Sequence, residues 1–387
     1  MATSVLLAAP GFAPTSVPKK TVLLSSQSYA LSIAALPAYY AATASAPSNT
    51  IDLFDKISLQ GVQTLPGHEI GTTSLRSVET IANISRPCLV SSGIDGSIRV
   101  WDERTNAHSI KMTHLGRTRG LLCCDVSADG LTVAGGTQLQ GEDAYIIYWD
   151  PRQPAAPLRT HGSTHSDDVT VLSFSPYDPN VIMSASTDGL ISTSTVSEDD
   201  EDEAVLHVGA WNCSVSQAGW MHSASGPNIW ASSDMETFST WSDELDLLQS
   251  QDIRGPSLHN HQYTWVTDYL ITCHSTATSG LRVFAGSNEG DIALLTNPNL
   301  AAPGAPWSLR NVWTNGHVGV VRSLLWDDEK EVLVTGGEDS KLNLWACPAS
   351  TSESDDSAMD VDSSPSRKRD MDWENEEDEE RYKRARN

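Results

Sequence analysis

The sequence predicts an all-β chain closed into a seven-bladed propeller, and three observations carry that expectation. Three stretches end alike: SSGIDGSIRVWD at 91–102, GEDAYIIYWD at 141–150 and TGGEDSKLNLWA at 335–346. Each sets an Asp in a tight turn before an alternating apolar strand that finishes on Trp101, Trp149 or Trp345. Runs of Val, Ile, Thr and Trp are short and broken by Gly, Asp, Asn, Ser and Pro, the pattern of strands joined by turns. Applied outward, the same strand end recurs at Phe54, Trp101, Trp149, Ser194, Trp241, Leu295 and Trp345, at spacings of 45 to 54 residues. That is close to the length of a four-stranded propeller blade.

Taken in order, residues 1–20 read as an N-terminal extension. Their apolar start lacks a basic flank and is cut by prolines, so a signal peptide is not expected. TVLLSS at 21–26 is a strand expected to pair with the last blade, which closes the ring and removes its open sheet edges. Residues 29–46 approach membrane length, but Pro37 interrupts them and two strands with a turn fit better. The first unit has Phe54 in place of Trp, and the fourth and sixth have lost the aromatic at Ser194 and Leu295. Two insertions follow: EDDEDE at 198–203, read as lying after the fourth blade's final strand, and QSQDIRGPSLHNHQYT at 249–264. The propeller is expected over 21–348. Residues 349–387, rich in Ser, Asp, Glu, Lys and Arg, read as a disordered tail.

Of the net charge of −25, the tail accounts for −6 through thirteen acids and seven bases, leaving −19 on residues 1–348. An acidic body does not favour direct nucleic-acid binding, which needs clustered Lys and Arg. It favours basic protein partners, a histone or ribosomal protein for example. Six cysteines without a CxxC pair suggest free thiols in a reducing compartment. A soluble, intracellular monomer without membrane attachment is expected.

Hydroxyl, imidazole and carboxylate recur together. His68, Ser91, Asp95 and Trp101 form one set and His317, Thr335, Asp339 and Trp345 another, while His165, Ser184 and Asp188 fall in a third unit without its Trp. In the two complete sets the hydroxyl lies four residues before the Asp and the Trp six after it. These residue types also make a nucleophilic triad. Repetition argues against that, because one chain has no use for several equivalent active sites. A bracing chain, in which Asp accepts from His, His meets the hydroxyl and the hydroxyl meets the indole, satisfies every buried polar group. No catalytic residue, cofactor or metal site is expected. His259-Asn260-His261 has no accompanying ligand cluster, and no phosphate-binding glycine loop occurs.

Gly67-His68, Trp101-Asp102, Gly316-His317 and HSDDVTVLSFSPYDPNVIMSASTDG at 165–189 carry a resemblance to WD-repeat proteins over about residues 21–348. Within that family, THSDDVT at 164–170 and VRSLLWDDEKEVLVTGGEDSKLNLW at 321–345 are similar to the WD repeat-containing protein 89 group. The resemblance implies a non-enzymatic intracellular scaffold for protein–protein interaction. Trp101-Asp102-Glu103-Arg104 and Trp149-Asp150-Pro151-Arg152 resemble the W-D-x-R box by which some family members dock on the adaptor of cullin-4 ubiquitin ligases. On that reading Arg104 and Arg152 project from one rim toward a partner's carboxylates. Lys383, Arg384 and Arg386, with Arg367, Lys368 and Arg369 upstream, fit a nuclear import signal and so a nuclear or nucleocytoplasmic location. Ser357 and Ser364-Pro365 are candidate phosphorylation sites beside it.

Overall fold

The computed structural model describes residues 5–347, apart from 10, 11, 13, 115, 117, 224, 225, 260, 262, 277–279 and 303. The import-signal residues and the tail phosphorylation sites lie outside the described residues.

Seven four-stranded antiparallel sheets follow one another along the chain. Their first strands are Ala30–Ala35, Thr72–Val78, Leu121–Val126, Val169–Phe174, Val215–Ser223, Tyr269–Thr276 and Val321–Asp327. These seven strands pack in chain order, and the last lies against the first, so the ring is closed. The third strands carry the repeated ending: Ile51–Asp55, Ser97–Trp101, Ile146–Trp149, Leu190–Thr195, Thr237–Trp241, Ile292–Thr296 and Lys341–Ala346. All seven positions expected as strand ends therefore fall on the third strand of a blade. Between neighbouring blades lie dry apolar layers: Trp101 packs with Leu53 and Leu89, and Trp345 with Phe284 and Trp313. Where the aromatic is lost, Leu295 is still fully buried, in a layer with Trp265, Trp307 and Phe238. The 29–46 segment forms the strands Ala30–Ala35 and Tyr39–Ala44.

Closure uses the N-terminal part of the chain. Lys20–Leu23 pairs antiparallel with the third strand of blade 7, Lys20 opposite Leu344 and Leu23 opposite Lys341, and supplies its missing outer strand. A further lock joins the first and last blades. Lys56 Nζ and the Tyr40 hydroxyl both donate to Asp327, at 3.0 and 2.9 Å, with the Lys56 and Asp327 side chains buried.

Within the N-terminal extension, Leu6–Ala8 adds a fifth, parallel strand to the outer edge of blade 6, Leu6 opposite Trp307. Leu6 is buried beside Trp307 and Leu309, and that burial holds the segment there. The acidic insertion does not follow the fourth blade's last strand. It connects the third strand to the outer strand Val205–Ala210, and its second half forms the helical turn Glu201–Ala204. The later insertion contributes the outer strand Leu247–Asp252 and a small hairpin of Leu258–His259 with Thr264–Trp265.

Candidate functional site: the two faces of the propeller

Turns alternate between two faces in an antiparallel meander. The links between blades and the turns between second and third strands share one face. The turns after first and third strands share the other.

On the first face each bracing set spans an inter-blade link and a second-to-third-strand turn. His68 Nδ1 lies 2.9 Å from Asp95, its Nε2 lies 2.8 Å from the Ser91 hydroxyl, and the Trp101 indole donates to that hydroxyl at 2.8 Å. In blade 7 the same distances are 3.0 Å for His317 to Asp339, 2.8 Å for His317 to Thr335 and 2.9 Å for Trp345 to Thr335. Blade 4 keeps His165 at 3.2 Å from Asp188 and 2.8 Å from Ser184, with no indole to complete it. The imidazoles are sealed from solvent. A nucleophile must reach its substrate, and these hydroxyls are buried, each already engaged by its neighbours. Burial pushes the Asp95 and Asp339 carboxyls up. The hydrogen bonds from His68 and Ser97, and from His317, outweigh it and hold Asp95 well below the carboxylate range and Asp339 at about 2.

A fifth member of the two complete sets escaped the sequence reading. Arg99 donates to Gly67 O at 2.8 Å and to Asp95 at 2.7 Å, and Asn343 donates to Gly316 O at 2.8 Å. Both stand four residues after the Asp, a spacing visible in the sequence, and both bind the carbonyl just before the His. Blades 3 and 5 keep their Trp without the set. Trp149 donates to Thr113 O at 3.3 Å and Trp241 to Ser239 at 2.9 Å.

The rim of the first face displays an apolar side chain from six blades: Tyr29, Ile70, Leu139, Met235, Val266 and Val318, the last 74% exposed. Carboxylates stand among them, with Glu69 beside Ile70, Asp234 beside Met235 and Glu289 in the blade 6 turn all exposed.

Arg104 and Arg152 lie on the second face, just past the third strands of blades 2 and 3. Both side chains are exposed at that rim, and each also folds back onto its own chain. Arg104 Nε and Nη2 bond Asp102 at 3.1 and 2.9 Å, and Arg152 Nε and Nη2 bond Asp150 at 2.9 and 2.7 Å. Each is a two-pronged clasp onto the Asp two residues earlier. Asp102 also pairs with Arg86. These hydrogen bonds hold both carboxyls below their usual range. Arg254 makes the same clasp on Asp252, at the first face. At the centre of the second face a cavity of about 560 Å³ opens between the inner strands; of its charged residues Arg76, Glu79 and Asp125, Arg76 and Asp125 pair at 3.3 Å.

Among the described residues no cluster of three or more His, Cys, Asp or Glu would hold a metal ion, and no helix is long and apolar enough to cross a membrane. The six cysteines are free, and burial pushes the Cys88 thiol up to about 11.

Residues 59–102, 156–192 and 308–346 match the family described as WD domain, G-beta repeat. These stretches cover the three units that hold the His-centred sets. The WD repeat-containing protein 89 homolog of Dictyostelium discoideum is 26% identical, with 82% of each chain covered. The WD repeat-containing protein GTS1 of Arabidopsis thaliana is 27% identical over 82% of this chain and 79% of its own. A designed protein, Ika8, shares the fold at a TM-score of 0.58 and 18% identity, with 83% of this chain and 96% of that one covered. The repeated bracing sets, the closed ring of seven blades and these matches make the chain a member of the WD-repeat family, similar to the WD repeat-containing protein 89 group.

Proposed function

We propose that this protein is a non-enzymatic scaffold whose first face binds a protein segment that is both basic and apolar. The observation that carries this reading is the rim of Tyr29, Ile70, Leu139, Met235, Val266 and Val318 set among carboxylates on a body of charge −19. Exposed apolar side chains grouped on one surface and bordered by charge mark an interaction site. Acidic surroundings select a partner rich in Lys and Arg and speed its encounter. The bracing sets of blades 2 and 7 brace the loops that carry Ile70 and Val318, which lowers the ordering cost of binding there. Histones and ribosomal proteins are basic clients of this chemistry.

The test is affinity purification with mass spectrometry from cells expressing the full chain, an Ile70→Asp/Val318→Asp variant and residues 1–348. Basic partners recovered by the full chain and by 1–348 but lost from the variant support the reading. An unchanged partner set in the variant overturns it.

A second reading is docking on a cullin-4 ligase adaptor through Arg104 and Arg152. It rests on their position at one face in consecutive blades, with side chains 67% and 46% exposed. Their clasps weigh against it, because a partner carboxylate would compete with Asp102 and Asp150. Nuclear residence through the tail's basic clusters belongs with either reading and is tested by fusing residues 349–387 to a fluorescent protein.

A further inference from the structure

The seam between blades 3 and 4 gathers hydrogen-bond donors around an anion. Backbone N–H groups of Gly162, Ser163 and Thr164 donate to the Glu201 carboxylate at 2.7, 2.9 and 2.7 Å, and the Thr164 hydroxyl adds a fourth bond at 2.6 Å. Three successive N–H groups turned to one point form an anion-binding concavity. Arg159 completes it, with Nη1 2.8 Å from Asp199 and Nη2 on the Val196 carbonyl. Burial pushes the Glu201 carboxyl up, but the Thr164 hydroxyl and the three N–H groups outweigh that and keep it low.

Two observations mark this as a built recess rather than a chance contact of an acidic loop. The loop is shaped around a missing side chain: a Cβ on Gly162 would stand 2.4 Å from the Tyr145 ring. Polar capacity is also left over. His161 is 3% exposed and Tyr148 fully buried, yet His161 Nε2 and the Tyr148 hydroxyl have no hydrogen-bond partner. Pairing of Tyr148 with Arg159 and of Ile146 with His161 puts these side chains on one face of blade 3. It is the face packed against blade 4, where Tyr148 meets Val169 and Val196. A carboxylate has two oxygens. A phosphoryl group, with three acceptor oxygens and more charge, would use the Tyr148 hydroxyl and Arg159 Nε, donors that Glu201 leaves idle.

We propose that this recess is a binding site for an acidic or phosphorylated peptide segment, held in cis by the chain's own Asp199 and Glu201. The insertion is then a tethered stand-in for that ligand, and release of the nine-residue connection 196–204 opens the site. A tethered occupant competes at high effective concentration, so the native chain binds such peptides weakly. The recess selects the opposite charge to the one the rim of the first face selects.

Fluorescence anisotropy on the full chain tests this with labelled hexaglutamate and a labelled peptide carrying one phosphoserine. Asp199→Ala/Glu201→Ala should bind at least one of the two about tenfold tighter than the native chain. Adding Arg159→Ala should abolish that gain. Asp202→Ala/Glu203→Ala removes two nearby exposed charges outside the recess and should gain nothing. A gain for the phosphopeptide alone assigns phosphoryl recognition, and a gain for both assigns carboxylate recognition. Equal affinity in native chain and double variant overturns the proposal, as does a gain that survives Arg159→Ala or appears in the Asp202/Glu203 control. If the double variant does not melt cooperatively, Glu201→Ala alone is read the same way.

Discussion

The indole of Trp345 donates to the Thr335 hydroxyl at 2.9 Å, and the same hydroxyl lies 2.8 Å from His317 Nε2. One small oxygen thus satisfies two large buried rings. Thr335→Val keeps the shape and removes that partner, leaving the indole N–H unsatisfied and Asn343 Nδ2, at 3.1 Å, as the remaining partner of the imidazole nitrogen. Urea unfolding should register a loss of about 1–3 kcal/mol. His317→Ala should cost a similar amount with no effect on any turnover. A loss of catalysis with stability unchanged would revive the triad reading.

The same set makes the fold acid-sensitive. Asp339 is held at about 2 against an ordinary 3.8. A depressed folded-state pKa contributes stability that is fully present above the unfolded value and is lost as pH falls toward the folded one. Between about pH 4 and pH 2 this site should forfeit about 2 kcal/mol. Asp95 and Asp188 shift in the same direction and steepen the decline. Asp339→Asn should lower stability at pH 7 and flatten its fall below pH 4, measured by denaturant unfolding across that range.

The parts of this architecture legible in the sequence are those that repeat locally. The Asp turn and the Trp six residues on sit in one hairpin, so Trp101 and Trp345 located their strands, and the Asp turn together with the spacing placed Ser194 and Leu295. Contacts set by distant partners were not legible. Glu201 meets residues 37 to 39 positions away, and a run of six acids gives no sign that two of them are bound. Leu6–Ala8 is a short strand without alternation, fixed by a sheet edge some 300 residues later. The clasps of Arg104 and Arg152 show the opposite limit. They are local, but W-D-x-R reads equally well as an arm reaching outward.

Ring closure offers a third prediction, because Lys56 and Asp327 bring a buried charge pair to the junction of blades 1 and 7. Lys56→Met leaves the Asp327 carboxylate buried with Tyr40 as its remaining side-chain donor and should cost about 3–5 kcal/mol. Asp327→Asn in the same chain removes the stranded charge and should recover part of that loss. A double-mutant cycle by urea unfolding measures the coupling. Additive costs would mean that closure relies on the Lys20–Leu23 strand rather than on this pair.

The clasps make the adaptor reading separable from damage to the fold. Arg104→Glu sets a carboxylate against Asp102, which retains Arg86 as a partner. Arg152→Glu sets one against Asp150, whose only ion pair among the described residues is with Arg152. The first variant should therefore melt close to the native chain and the second slightly below it, with the difference shrinking in high salt as exposed charges are screened. If the two arginines dock a ligase adaptor, co-purification of that adaptor should fall in both variants, including the one whose melting is unchanged. Adaptor recovery that follows melting temperature instead would identify the clasps as braces of the third-strand turns. Undiminished recovery in the double variant would remove Arg104 and Arg152 from any docking surface.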